Sequence, residues 1–373
     1  MRHRPARCWL LAVATVALIV GIGCSGSGGT PGQAGERESV DNDNGVDSGA
    51  PSSPRADGAT LVFSASTHAG PDASAQNPAF SPDGRQLVFT LFTNGYNEGP
   101  AELWIVSLNG SDPHRITPTE DQDNVNVPGA AWNAVNGEIV FASDREESDD
   151  LWAIRPDGTG LRRITTHDEP PYWIEPVWSP DGEWIVFEAD TEASTELEQR
   201  GTIFKVRSDG MELTQLTRRD GEDYDDRLPN WSPDGERILF QRRLPSEGAS
   251  DQWDIYVVDT DGDDPINVSN AAEYFNTDNS WSPDGRWIAS SSEYPVEGDQ
   301  LPLPNIVAFF VPYPDSDEGF AASVRITFSE HHEDGAPSVS PDGRWVGFES
   351  HRTEDEQSPT DIWIVETPGA LRP

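Results

Sequence analysis

The chain has few of the residues that many functions require. Of 373 residues only two are cysteine, Cys8 and Cys24, and two are methionine. Cys8 lies in an N-terminal segment read below as removed, so the mature chain has no pair to form an internal disulfide. Lys205 is the sole lysine; the remaining basic residues are arginine, and the formal charge is −41. That balance excludes nucleic acid and anionic membrane surfaces as partners, since both are held by basic patches. Between residues 59 and 373 there is no Walker loop, no Rossmann fingerprint, no GxSxG elbow and no HExxH pair, which removes the commonest nucleotide, hydrolase and zinc-protease readings. Long apolar runs are also lacking. The one sustained run, Cys8 to Gly23, falls short of the ~20 residues that span a bilayer as a helix.

What is present begins with turn formers. Gly and Pro number 33 and 31, alongside 13 Trp and 14 Phe. This composition suits many short strands around bulky filler and argues against long helices. One phrase recurs: an aromatic residue, Ser-Pro-Asp-Gly, then a β-run. It reads FSPDGRQLVF from Phe80, WSPDGEWIVF from Trp178, WSPDGERILF from Trp231, WSPDGRWIAS from Trp281 and VSPDGRWVGF from Val339. WNAVNGEIVF from Trp132 keeps the frame and rewrites the turn. A period of roughly 40–50 residues with strand content is the mark of propeller blades.

Each Ser-Pro-Asp-Gly reads as a tight hairpin between strands A and B, with Pro fixing φ and Gly accepting positive φ. Strand B alternates apolar residues, as in Ile185 and Phe187. Strand C follows (ELWIV from Glu102, DLWAI from Asp150, TIFKV from Thr202, DIYVV from Asp254, NIVAF from Asn305, DIWIV from Asp361), and a short strand D such as RIT from Arg115 or Arg163 closes the unit. The sixth unit has no strand D after DIWIV. An unassigned strand, Thr60–Ser66, precedes the first unit and is expected to complete the last blade, which removes an open edge. The expected fold is all-β: a single six-bladed β-propeller of four-stranded blades over 59–373. Trp104, Trp152, Trp178, Trp231, Trp253, Trp281 and Trp363 recur at blade positions and are read as packing.

These phrases are similar to the WD-like repeats of TolB-type propellers, and the resemblance covers residues 59–366. It implies the fold more strongly than a function, because one fold hosts many. TolB has an α/β domain ahead of its propeller with no counterpart expected here, so membership of the Tol–Pal system is not carried over. Similar propellers precede the catalytic domain of prolyl-oligopeptidase-type peptidases, and others are lyases acting on acidic sugars.

The N-terminus is expected to be processed. Arg2, Arg4 and Arg7 form a basic start, the apolar run follows, and Val20-Gly21-Ile22-Gly23-Cys24 resembles a bacterial lipobox, with Gly21 where the family prefers Leu. Residues 1–23 then read as a lipoprotein signal peptide, Cys24 as the lipidated residue, and 24–58, poor in bulky apolar residues, as a disordered tether. The expected location is the bacterial cell envelope, membrane contact is through the lipid alone, and the domain is expected to be a monomer.

Blade order puts the short A–B and C–D turns on one face. The long B–C and D–A connections, such as ADTEASTELEQRG from Ala189 and RRDGEDYDDRL from Arg218, fall on the other, and they are strongly acidic. Binding residues concentrate on loops held by rigid scaffolds. A non-catalytic binding or scaffold role is therefore expected, with a protein, peptide or glycan partner on this acidic face. Glu175, Asp225, Asp226, Asp278, Glu333 and Asp334 are expected at the channel rim. Glu175, Asp226, Asp278 and Asp334 are the candidate ligands for Ca²⁺, the one cofactor considered, although solvated acidic loops are the default. No twelve-residue calcium loop exists, because Asp264 stands where that loop requires Gly. Tyr172 and Trp173, outside the repeat, are candidates to stack on a sugar or peptide. The alternative reading is a metal-dependent lyase or hydrolase near His331, His332 and Asp334, with His167 or His351 in support. For the anchor, Cys24→Ser is expected to move the protein from the detergent-soluble membrane fraction to the aqueous fraction; unchanged partitioning in Triton X-114 contradicts lipidation.

Overall fold

The computed structural model describes residues 55–118, 125–126, 132–146, 149–166, 172–190, 201–217, 224–243, 253–263, 265–269, 276–296, 303–311, 323–355 and 357–372. The expected signal peptide and nearly all of the expected tether lie outside them. Among the described residues no helix is long and apolar enough to cross a membrane.

Strand β1 (Thr60–Phe63) and a five-residue helix, α1 (Ala65–Ala69), precede the first blade. The first blade is β2 (Ser74–Phe80), β3 (Gln86–Phe92), β4 (Ala101–Ser107) and β5 (His114–Arg115). The second is β6 (Val125–Asn126), β7 (Ile139–Ser143), β8 (Asp150–Ile154) and β9 (Arg162–Arg163). The third is β10 (Tyr172–Trp178), β11 (Trp184–Asp190), β12 (Ile203–Arg207) and β13 (Thr214–Gln215). The fourth is β14 (Asp225–Trp231), β15 (Arg237–Arg243), β16 (Trp253–Asp259) and β17 (Ile266–Asn267). The fifth is β18 (Asn276–Trp281), β19 (Trp287–Ser292), β20 (Asn305–Phe310) and β21 (Ser323–Arg325). The sixth is β22 (Asp334–Val339), β23 (Trp345–His351), β24 (Thr360–Glu366) and, from the other end of the chain, β1.

The Ser-Pro-Asp-Gly turn works through its serine. Ser179 Oγ donates to Asp181 Oδ1 at 2.6 Å and accepts the Trp184 N–H at 2.9 Å, while Gly182 takes φ +71°. Ser81, Ser232, Ser282 and Ser340 repeat the first contact. In the second blade Asn133 replaces the serine and accepts the Val135 N–H at 2.9 Å. The repeated strand C acid and strand D hydroxyl are a second fastener. Thr165 Oγ1 accepts the Leu151 N–H at 3.0 Å and donates to Asp150 at 2.8 Å, and Asp150 also pairs with Arg163. Ser269 does the same for Ile255 and Asp254. These polar repeats hold the blades together.

Strand B supplies the core. Phe89, Phe141, Phe187, Phe240 and Phe348 are fully buried at one register position. The ring closes as expected: β1 pairs antiparallel with β24, Thr60 opposite Ile364 and Leu61 opposite Trp363. The strand stops at Phe63, however, and residues expected to extend it form α1. Phe63 packs on Phe89 at 4.6 Å and His68 at 4.3 Å between ring centroids, seating the closing strand against the first blade. Phe63→Ala is expected to cost about 3–5 kcal/mol, the range for emptying a buried aromatic site, and to lower the melting temperature in calorimetry. A change within ±0.5 kcal/mol would contradict this seating.

Candidate functional site

The first strand of each blade lines the central channel. Five of these strands break register at one place: between Gln76 and Ala79, Ile174 and Val177, Arg227 and Asn230, Thr277 and Ser280, and Gly335 and Ser338. At each break one residue is left-handed: Asn77, Glu175, Leu228, Asp278 and Ala336, with φ between +45° and +54°. Four are followed by proline, which suits a bulge because it needs no ladder partner. The fifth is followed by Asn279. These bulges narrow the channel to a constriction of about 30 Å³, whose polar lining is Asn77, Glu175, Asn230, Asp278 and Asn279. Towards the short-turn face the channel widens into a funnel of about 250 Å³ lined by Phe80, Trp132, Trp178, Trp231, Trp281 and turn prolines, with no charged side chain.

Two residues before each bulge the candidate acids reach the long-loop end of the channel, where most are already paired. Asp226 is buried against Arg242, with contacts of 2.5 and 2.8 Å. Asp225 binds Arg243 at 2.6 Å and Arg227 at 2.9 Å and accepts the Gly201 N–H at 2.8 Å. Asp334 receives both Arg55 nitrogens at 2.9 Å and the Ser350 hydroxyl at 2.6 Å. Of the candidate calcium ligands, Asp226 and Asp334 face guanidinium groups, and Glu175 and Asp278 both line the constriction. Among the described residues no three His, Cys, Asp or Glu side chains converge to hold a metal.

Arg55 also corrects the tether boundary. Its guanidinium lies 5.6 Å from the Phe348 ring centre and 5.5 Å from that of Trp363, and it pairs with Asp57. Among the described residues, contacts with the domain begin at Arg55, four before the expected start. Trp173 is a second correction. It is 8% exposed and packs on Phe187 at 4.9 Å, sharing the register position of Asp226 and Asp334, so it offers no free face for stacking. Tyr172 beside it is half-buried.

The histidines do not form one site. His331 is exposed and meets Glu354 at 2.9 Å, whereas the His332 backbone is tied to Ser329. His351 is buried, its Nδ1 2.6 Å from the Ser358 carbonyl, and burial holds its pKa below the usual value. His167 and much of the long acidic connections lie outside the described residues.

The site contains one group that the sequence reading missed. Glu349, near the end of β23, is buried; its Oε2 accepts the Asn77 N–H at 2.8 Å and its Oε1 the Tyr96 hydroxyl at 3.2 Å. Burial pushes its carboxyl up to about 8. Asp278 is pushed up to about 6 by burial, against the lowering effect of hydrogen bonds from the Ala336 N–H and Thr277. The Tyr96 phenol is also held up, by burial and by the charges of Glu349, Asp278 and Glu333. The legible signal was an acid directly after the strand B phenylalanine, in Phe348-Glu349 and Phe187-Glu188.

Matches with known proteins follow the same frame. Residues 65–249 match the family described as TolB beta propeller domain. The Bacillus subtilis protein named "Uncharacterized peptidase YuxL" is 26% identical over 248 residues, 65% of this chain and 32% of that protein. A "Protein TolB homolog" of Chlorobium luteolum is 34% identical over 111 residues, 30% of this chain and 22% of that protein. The chain thus spans under two-thirds of the length of these relatives. Among solved structures, an oligogalacturonate lyase from Vibrio parahaemolyticus superposes with a TM-score of 0.50 at 15% identity, covering 84% of this chain and 94% of that one; this likeness shows the fold. The class is a six-bladed β-propeller. More particularly, the chain is similar to the TolB propellers, whose family it matches over residues 65–249.

The raised carboxyl makes a pH prediction. In the unfolded chain Glu349 ionises near 4.5, and in the folded chain only around 8. Between those values the unfolded state binds fewer protons, so the contribution is complete below about pH 4.5 and is lost as pH rises towards about 8. Glu349→Gln is expected to flatten the fall in melting temperature over that window; parallel curves for variant and wild type contradict it.

Proposed function

We propose that this chain is a non-catalytic binding or scaffold propeller of the bacterial envelope, lipid-anchored at Cys24, that engages a basic protein or peptide, or a glycan, through the acidic long-loop face. One observation carries the reading. The repeated polar residues are taken up by blade fastening, as at Ser179, Asp150 and Thr165, whereas the acids of the long connections follow no repeat, and the blade order assigns those connections to one face. A cluster of one charge sign on variable loops recruits an oppositely charged partner and sets its association rate. Against the peptidase name of one relative and the lyase likeness of one structure stands the pairing of the candidate residues: His331 meets Glu354, and Asp334 is held by Arg55. The test is affinity capture from envelope extract with the full mature chain, compared with a variant carrying Glu192→Gln, Glu196→Gln, Glu198→Gln, Asp220→Asn and Glu222→Gln. Recovery of a salt-sensitive partner by the wild type alone is expected; equal recovery by both proteins would sink the acidic-face reading.

A further inference from the structure

The repeats allow each buried acid to be compared with its counterpart in another blade, and one comparison does not balance. Glu188 and Glu349 are equivalent. Each follows the strand B phenylalanine, and each carboxylate accepts the backbone N–H of the left-handed residue in the next blade: Leu228 at 3.1 Å and Asn77 at 2.8 Å. Beside Glu188 the fold supplies a cation, with Arg227 Nη1 3.3 Å from Glu188 Oε1. The residue in Arg227's place beside Glu349 is Gln76, whose amide donates instead to Ser74 at 3.1 Å. Among the described residues Glu349 therefore has hydrogen bonds but no counter-cation.

Asp278, from the neighbouring fifth blade, adds a second carboxyl at the same place. A Cβ built on Gly335 would lie 3.9 Å from an oxygen of Asp278 and 3.9 Å from an oxygen of Glu349, so the two acids flank a spot that glycine leaves unfilled. An independent feature points into the same constriction. Asn279 replaces the proline of four other blades; its side chain is 7% exposed, and both its carboxamide oxygen and nitrogen are buried with no hydrogen-bond partner. A buried amide left unsatisfied costs about 1–3 kcal/mol, and an ionised Glu349 with no counter-charge would cost more still, so a cation is needed there to hold it charged.

We infer that the constriction of the channel is a binding site for a primary ammonium group, a lysine side chain presented by a partner on the long-loop face. This rests on the acidic-face reading given above. The size and the donor set select the ligand. About 30 Å³ suits a compact ammonium better than a planar guanidinium. Its three N–H donors suit the carboxylates of Glu175 and Asp278 and the unpartnered oxygen of Asn279 on the lining, with Glu349 beside Asp278 at Gly335 adding negative charge next to them. A metal fits less well, because no three carboxylate, imidazole or thiolate side chains converge among the described residues. The Arg55 guanidinium at the same end of the channel is already held by Asp334 and Asp57.

The chain itself supplies variants that its fold accepts. Glu349→Gln installs the residue found at the equivalent position as Gln241, Asp278→Asn that found as Asn77, and Asn279→Pro the residue found as Pro78 and Pro229. Isothermal titration calorimetry of the full mature chain with pentalysine, with its fully Nε-acetylated form and with calcium chloride tests the site, and circular dichroism checks each fold. Wild type is expected to bind pentalysine saturably and not the acetylated peptide. The D278N/E349Q double variant is expected to lose at least about tenfold in affinity, as befits charge-assisted contacts, and Asn279→Pro to lose several-fold. Unchanged affinity in the folded double variant overturns the inference. So does calcium binding that depends on Asp278 and Glu349 and displaces the peptide. If the loop variant described above loses pentalysine while the double variant keeps it, the channel site fails and the acidic face stands; the reverse result leaves the channel site standing and removes the loops.

Discussion

Everything in this molecule depends on the pairing of β1 with β24. A propeller blade touches only its two neighbours, so an unclosed ring exposes two blade faces and an unpaired strand edge at the same seam. Here the seam is closed by four residues, Thr60–Phe63, and by the aromatic wedge of Phe63 behind them. The constriction depends on that closure as well. Glu349 reaches Asn77 only because the last blade stands next to the first, and the two residues are otherwise separated by most of the chain.

Within the blades, two short polar devices do the holding, one at the A–B turn and one between strands C and D. Both use a hydroxyl that accepts a backbone N–H and donates to a nearby acid, as Ser179 does with Asp181 and Thr165 with Asp150. Because these devices repeat, departures from them are informative. The blade boundaries differ chiefly in which charge is compensated and which is not: Asp226 has Arg242 and Glu188 has Arg227, whereas Glu349 has a phenol and a backbone N–H.

The fold was legible because its signals are local and repeated. Ser-Pro-Asp-Gly dictates its hairpin from within, and the period-two apolar residues of strand B need no partner to be recognised. The site was legible only in part. Asp225, Asp226 and Asp334 stand on the first strands of their blades, where the repeat puts them, but the repeat does not indicate their arginine partners; Arg55 lies 279 residues from Asp334. Trp173 seemed exceptional because no other blade has tryptophan at that register position, yet strand pairing with Ala189 turns it into the core. The left-handed residues before Pro78, Pro176, Pro229 and Pro337 run against the usual preference of a residue preceding proline for extended backbone. Only the break in strand register accounts for them.

The Arg55 clamp has a mechanical consequence. Tension arriving along the chain from its N-terminal side meets the clamp before it meets β1. Two guanidinium contacts to Asp334, backed by the faces of Phe348 and Trp363, stand between that load and the four-residue seam that keeps the ring shut. The domain therefore carries its strain relief ahead of the joint that closes its ring, much as a cable is gripped before its connector.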